Sequence, residues 1–395
     1  MSAERLSNFI LLPELKLVKC AKENNTQSRL ECVKIPAIEY CPSCANPSQT
    51  TYDHRTVRVK DAPIRGHGVA LVIRKRRLWC KVCLKAFTER VPGIRCGKRH
   101  TERYQLSVTW AAENFSDLKQ VRRAYDCSAS FLYEIYYNRL EREVGEKLNY
   151  SWPTNVGIDE HGFKKCKKTG QTQYVSMIVD HDNRRVREIV EGKMCADLIR
   201  DLQHIPGREN VKNVTIDMCD PFKNFVREFF PHAQIVADKF HVLRLLSPSI
   251  LKRRKEITGD RASARARKLL LMSAKNLDYS SSLALSRFLK NYPDLKEVYD
   301  WKERVHGFYR ITGYQRAVAA FSLMTDAMAR SQLKEIKTLR RTLLKWRVEI
   351  LNYFKTGLTN ARTEGFNNKA KVVKRRGYGY KSFRNYRLKV LTACC

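Results

Sequence analysis

Two cysteine pairs, Cys41-Pro-Ser-Cys44 and Cys80-Lys-Val-Cys83, constrain the chain more than any other feature of it. Each Cys-x-x-Cys makes a tight turn that presents two thiolates to one ion. A second such turn completes the tetrahedral four-sulfur set that zinc prefers, at Zn–S distances of about 2.3 Å. Between the pairs run short apolar stretches broken by turn formers, such as Val69-Ala70-Leu71-Val72-Ile73 before Arg74-Lys75-Arg76-Arg77, a pattern of small β hairpins. The ordinary alternative is four unrelated buried cysteines. Paired turns in a stretch with so little apolar sequence speak instead for a β zinc ribbon with a structural Zn²⁺. Such a site is closed at all four positions, so the quartet serves folding and DNA contact and not catalysis. The other cysteines, such as Cys20, Cys127, Cys219, Cys394 and Cys395, lack paired spacing and read as core or incidental.

Charge sets the partner. Lys and Arg number 76 against 40 Asp and Glu, a formal net charge of +36, which calls for a polyanion. A hydrophobic content of 43% supports packed cores and argues against a chain that is merely a solvated basic tail. At 395 residues the chain has room for two to four domains. No run approaches the ~18 apolar residues of a membrane span, and Phe9-Ile10-Leu11-Leu12 stops at Pro13 without a cleavage signature. A cytoplasmic nucleic-acid-binding protein with no membrane role is expected.

Five stretches follow one another. Residues 1–98 hold the zinc ribbon, and residues 99–150 change to helical spacing. Three short helices are expected there, on Leu106, Trp110 and Phe115, then Val121 and Tyr125, then Leu132, Ile135, Tyr136 and Leu140. The second and third, joined by a short turn with Ser128 as cap, read as a helix-turn-helix, with the basic Arg122 and Arg123 facing DNA. A linker bundle with a solvated basic face is the plainer alternative. Residues 151–246 alternate strands and helices in the manner of an α/β layer fold. Residues 247–358 are almost wholly helical and look inserted, and 359–395 close the chain with a further helix and a basic tail.

Asp159 closes the apolar run Asn155–Ile158, and Asp217 closes Val211–Ile216. On adjacent strands such acids meet at one sheet edge, where they repel each other unless cations intervene. Oxygen donors suit Mg²⁺ or Mn²⁺, and a pair of such ions can activate an attacking oxygen and stabilise the leaving oxygen of a phosphodiester. A third acid is chosen from Asn360-Ala-Arg-Thr-Glu364-Gly-Phe-Asn367-Asn368-Lys-Ala-Lys371-Val-Val-Lys-Arg375. Read as a helix, Asn360, Glu364, Asn367, Lys371 and Arg375 share one face, an acid among phosphate-seeking groups. Glu364 is therefore the expected third metal ligand, with Asn367, Lys371 and Arg375 on DNA. Glu160, Asp180, Asp182 and Asp220 are rivals whose positions near turns or a helix start suit capping. Asp238 and His241 lie three apart at another helix start, where capping competes with an accessory role beside the scissile phosphate.

These residues together resemble the DDE transposases of bacterial insertion sequences, in particular the ISL-three family. The resemblance rests on the cysteine quartet with Trp79, Phe87 and Thr88, on Gly157-Ile158-Asp159-Glu160, on Asp217-Met218 before Pro221-Phe222, and on Asp238-Lys-Phe-His241-Val. It rests also on Glu364-Gly-Phe-Asn367-Asn368 followed by Lys371, Arg375, Gly379-Tyr380 and Phe383. It implies a multidomain α/β protein: a ribonuclease-H-like catalytic core interrupted by an all-helical insertion and preceded by the zinc ribbon and helix-turn-helix. It also implies binding of double-stranded DNA at terminal inverted repeats and in target DNA, assembly as a homodimer, and a place at the bacterial nucleoid. The expected activity is metal-dependent hydrolysis and strand transfer. A DNA-binding regulator that keeps the core as scaffold is the main rival, and a structure-specific nuclease without strand transfer a second.

Overall fold

The computed structural model describes residues 11–115, 117–166, 169–259 and 264–395, so Phe9 and Ile10 of the apolar N-terminal run lie outside the described residues. Two compact units, Met1–Arg142 and Glu143–Cys395, make up the chain.

The first unit contains strands β1 (Leu15–Asn24), β2 (Gln27–Lys34), β3 (Glu39–Tyr40), β4 (Pro47–Ser48), β5 (Thr51–Ile64), β6 (His67–Cys80) and β7 (Lys85–Thr88). They form a five-stranded sheet in the order β1-β2-β6-β5, with β7 also on β6, and a two-stranded ribbon of β3 and β4. Strands β5 and β6 are 14 residues each, longer than the small hairpins read from the sequence. Arg65 and Gly66 join them with φ of 51° and 81°, the pair of left-handed residues that a tight hairpin turn requires. Val59, Leu71 and Ile73 then point inward with Leu15 and Leu30. This core, and the parallel pairing of β2 with β6, makes the unit more than a ribbon.

Three helices follow, Glu102–Asn114, Leu118–Ala124 and Ala129–Lys147, the last of 19 residues and so not short. Thr101 and Asp117 cap the first two through their side chains. Ser128 Oγ accepts the Phe131 N–H at 3.1 Å and caps the third. The inward face of the first helix differs from expectation. Leu106 and Trp110 are 63% and 60% exposed, Phe115 is exposed too, and Tyr104, Val108, Ala111 and Ala112 are buried instead. The buried carboxylate of Asp61 explains this, since it accepts from Thr101 Oγ1 and Arg103 Nε, both at 2.7 Å, and so fixes the helix's rotation. The small Ala111 and Ala112 complete the inward surface.

The second unit is built on strands β8 (Asn155–Lys165), β9 (Thr172–Asp180), β10 (Arg185–Glu191), β11 (Asn213–Ile216) and β12 (Gln234–Ala237), in the order β10-β9-β8-β11-β12. The first three are an antiparallel meander, and β11 runs parallel to both β8 and β12. Strand β8 is 11 residues long and runs past Asp159, which is thus mid-strand and not at its end. Its alternation divides the layers. Val156 and Ile158 enter a core with Leu198, Phe222 and Phe225 from helices Cys195–Leu202 and Asp220–Phe229. Gly157, Asp159 and His161 face helices Ala361–Arg376 and Phe383–Cys394 on the other side. A methyl at Gly157 would strike Thr363 Oγ1 and His181 Nε2, so only glycine lets the first of those helices approach.

Between β12 and that helix stand eight α-helices among the described residues, from Lys239–Leu243 to Arg347–Thr356. They are no separate body. Leu295, Phe321 and Ile350 belong to one apolar cluster with Phe222 and Val236's neighbour Ile235, and Asn352 Nδ2 donates to the Ile235 carbonyl at 2.9 Å. Lys223 and Glu349, both buried, add an ion pair at 2.6 Å. No helix among the described residues is long and apolar enough to cross a membrane.

Candidate active site

Strand register builds the site. Ile158 pairs with Ile216, and Ile216 with Ala237, so the next residues, Asp159, Asp217 and Asp238, emerge side by side where the three parallel strands diverge. Burial, and after it the charge of Asp217, push the Asp159 carboxyl up to about 7. Asn367 Nδ2 donates to Asp159 Oδ2 at 2.6 Å, and the Glu160 N–H donates to Oδ1 at 2.7 Å.

His241 faces the other two acids, its Nδ1 3.0 Å from Asp217 Oδ1 and 2.9 Å from Asp238 Oδ2. Together they raise the imidazole to about 10, so it is a cation at neutral pH. Its one Nδ1 proton serves a single acceptor, and Asp217 Oδ1 is left buried without a hydrogen bond. Burial would lift Asp238, but bonds from His241 and from the Asn360 N–H outweigh it and hold the carboxyl below its ordinary range. Asp238 also caps helix Lys239–Leu243 by accepting the His241 N–H at 3.2 Å. Capping and site position coincide in this residue.

Glu364 lies in the first turn of Ala361–Arg376. Asn360, four residues before it, donates to the Ile158 carbonyl at 2.9 Å, and Asn367, three after, holds Asp159. These bonds lay the Glu364 turn along β8 while its side chain is exposed. Among the described residues the tightest ligand-capable group at this edge is Asp217, Asp238 and His241, with ligand atoms within 4.8 Å of one another. Asp159 adjoins it through Asp217. Glu364 is outside it.

Hard divalent cations fit these residues. The donor set is carboxylate oxygen, and the charge of Asp217 adds to burial in lifting Asp159, a repulsion that an ion would relieve. In the first unit, Cys41 and Cys83 Sγ lie 3.4 Å apart, Cys44 and Cys80 Sγ 3.5 Å, and all four within 4.8 Å. The residue after each pair, Ala45 or Leu84, has φ of 55° or 52°, so the two turns share one shape. Backbone N–H groups, of Ser43 on Cys41 and Cys83 on Cys80, favour the thiolates, with Cys41 drawn down to about 6. Four such sulfurs suit one tetrahedral structural zinc.

A transposase family model of the ISL3 (ISL-three) type matches residues 156–390, the whole span from β8 to the last helix. The chain belongs to the ISL3 transposase family. A second model, the zinc finger of the transposases IS204, IS1001, IS1096 and IS1165, matches residues 39–83, which bracket the quartet. The chain is 26% identical over 370 residues to the transposase for insertion sequence element IS1001 of Bordetella parapertussis, covering 90% of this chain and 89% of that one. It is 23% identical over 326 residues to the transposase for IS1557 of Mycobacterium tuberculosis, at 74% and 71% coverage. As a family member it is a DNA-binding transposase of insertion-sequence type.

Within this transposase the remaining expected residues take distinct places. Arg122 and Arg123 are exposed in the last turn of Leu118–Ala124, and Lys371 and Arg375 are exposed beyond Glu364. Asn367, expected on DNA, does not face solvent. It is 2% exposed and locked between Asp159 and His161, whose Nδ1 lies 2.8 Å from its Oδ1, because the third residue after Glu364 turns onto β8. Glu160 faces Lys193 at 3.1 Å, Asp180 and Asp182 hold the strand turn through Asn183 and Asn155, and Asp220 pairs with Lys345. Sequence reasoning passed over His161. Burial keeps this ring neutral, down to about 4, and its Nε2 meets Tyr386 Oη at 2.6 Å, tying the last helix to the site. Its period-two offset from Asp159 was the available signal.

Proposed function

We propose that this family member cuts and joins DNA at a ribonuclease-H-like core, with Asp159, Asp217 and Glu364 as the ligands of two Mg²⁺ (or Mn²⁺) ions. The observation that carries the reading is the strand register that makes Asp159 and Asp217 neighbours. When bound, the ion pair would supply activation of the attacking oxygen and charge neutralisation at the leaving one. Asn367 and the Glu160 amide orient Asp159. Asp238 orients His241, whose cationic ring is half exposed and offers a proton donor to a phosphate oxygen.

In the first reaction water attacks phosphorus at each element end, the bond to the 3′ oxygen breaks, and a 3′ hydroxyl is freed. That hydroxyl then attacks a target phosphodiester and displaces a second 3′ oxygen. The zinc ribbon and the helices carrying Arg122, Arg123 and Ser128 find the terminal inverted repeats as a helix-turn-helix. Lys371 and Arg375 hold phosphates. Two ends call for two chains, hence a homodimer working at the nucleoid of a bacterial cytoplasm.

The test uses duplexes carrying the inverted repeats that flank the gene. The wild-type chain should nick them only with Mg²⁺ or Mn²⁺ and join them to target, while Asp159→Ala should bind them and leave them whole. Undiminished cutting by Asp159→Ala refutes the site, and binding without cutting by the wild type would make the chain a regulator.

A further inference from the structure

At the far end of the Glu364 helix a cavity of about 580 Å³ is lined by Lys371, Lys374, Arg375, Tyr378 and Gly379. Its cations suit phosphate, whereas Tyr378 carries no charge and is 94% exposed. It also has φ of 49°, the left-handed region a bulky side chain rarely adopts. That conformation is imposed. The Tyr378 N–H donates to the Arg375 carbonyl and the Gly379 N–H to the Lys374 carbonyl, both at 3.0 Å. Lys374 Nζ is itself fixed on the Gly162 carbonyl at 3.0 Å. A methyl on Gly377 would lie 2.7 Å from the Tyr380 ring, and that ring packs on Tyr386, so the turn is clamped from behind. Tyr380 packs on Tyr386, whereas the turn leaves Tyr378 facing outward.

We infer that Tyr378 and this basic cavity form a binding site for an unpaired nucleotide, the ring stacking on its base and the cavity's cations taking the flanking phosphates. An aromatic face beside cations is the general device for single strands, because every base has a π-face. A duplex hides those faces, so the occupant is a base that has left its pair. The placement relative to the cut rests on the proposed function. Arg375 is eleven residues beyond Glu364 (375 − 364) in one helix. At 1.5 Å per residue that is about 16 Å.

Binding is compared between an oligodeoxythymidylate of about twelve nucleotides and an abasic strand of equal length, using the full chain. The wild type should prefer the thymidylate about tenfold, as one stacked base allows. Tyr378→Phe should keep that preference, and Tyr378→Ala should bind both strands with the abasic affinity. A wild type indifferent to bases, or a Tyr378→Ala that retains the preference, overturns the inference. Mg²⁺-dependent nicking of end-containing duplex by the same wild-type preparation is read alongside. Nicking without base preference sinks this site alone, and base preference without nicking sinks the catalytic reading alone.

Discussion

Replacing Asp159 by Asn should make the ion-free protein more stable. The Asp159 carboxyl stands at about 7 against an ordinary 3.8, chiefly through burial and then through Asp217. A lift of about three units corresponds to roughly 4 kcal/mol, and solvent access at the open strand edge reduces this to about 2 kcal/mol. An acid whose folded value is raised binds its proton more tightly folded than unfolded. Stability therefore falls as pH rises from about 4 to about 7, and above that the loss is complete. Asn removes the charge and keeps the shape. In Mg²⁺-free buffer at pH 8, with zinc retained, Asp159→Asn should melt about 4 to 8 °C above the wild type. At pH 4 the two should converge. Added Mg²⁺ should then stabilise the wild type by mass action and the variant little. His241, raised to about 10, contributes stability present below 6.5 and lost through its raised value, and at pH 8 does so in both proteins. Thermal scans at three pH values decide the matter. A variant no more stable than the wild type without Mg²⁺, and equally stabilised by it, would refute the reasoning.

Cys44→Ser should reduce bound zinc from one ion per chain to none in metal analysis of the purified protein; a retained ion would place it elsewhere. Gly157→Ala should cost about 2 kcal/mol in urea melts, since the added methyl overpacks against Thr363 and His181; unaltered stability would mean the helix does not lie where described. Arg375→Ala should lower the slope of log affinity for end duplex against log salt by about 0.9, and an unchanged slope would remove Arg375 from the phosphate contacts.

Asp159 and Asp217 were legible because each follows an apolar strand run, and the cysteine turns because their spacing is itself geometry. Glu364 was picked out only as part of a helical stripe, and the structure leaves it exposed and outside the group of Asp217, Asp238 and His241. What the stripe could not reveal is direction: Asn367 belongs to it and yet turns inward to Asp159 and His161. Strand register was equally hidden, since Ile158 opposite Ile216 is a tertiary fact, and with it the row that adds Asp238. Leu106 and Trp110 misled because large apolar side chains at helical spacing usually face a core, whereas here the buried Asp61 sets the helix's rotation. The helical stretch 247–358 looked like an insertion by composition, but only packing shows that it continues the core of the sheet.

Iron bound in place of Mg²⁺ tests the central claim most directly. With zinc in place, Fe²⁺, ascorbate and peroxide generate radicals that cut the polypeptide beside the ion, and mass spectrometry maps the cuts. The account predicts cuts near Asp159, Asp217 and Glu364 together, all suppressed by excess Mg²⁺. Cuts confined to the Asp217–His241 edge with none near Glu364, or no Mg²⁺-sensitive cuts, would contradict it.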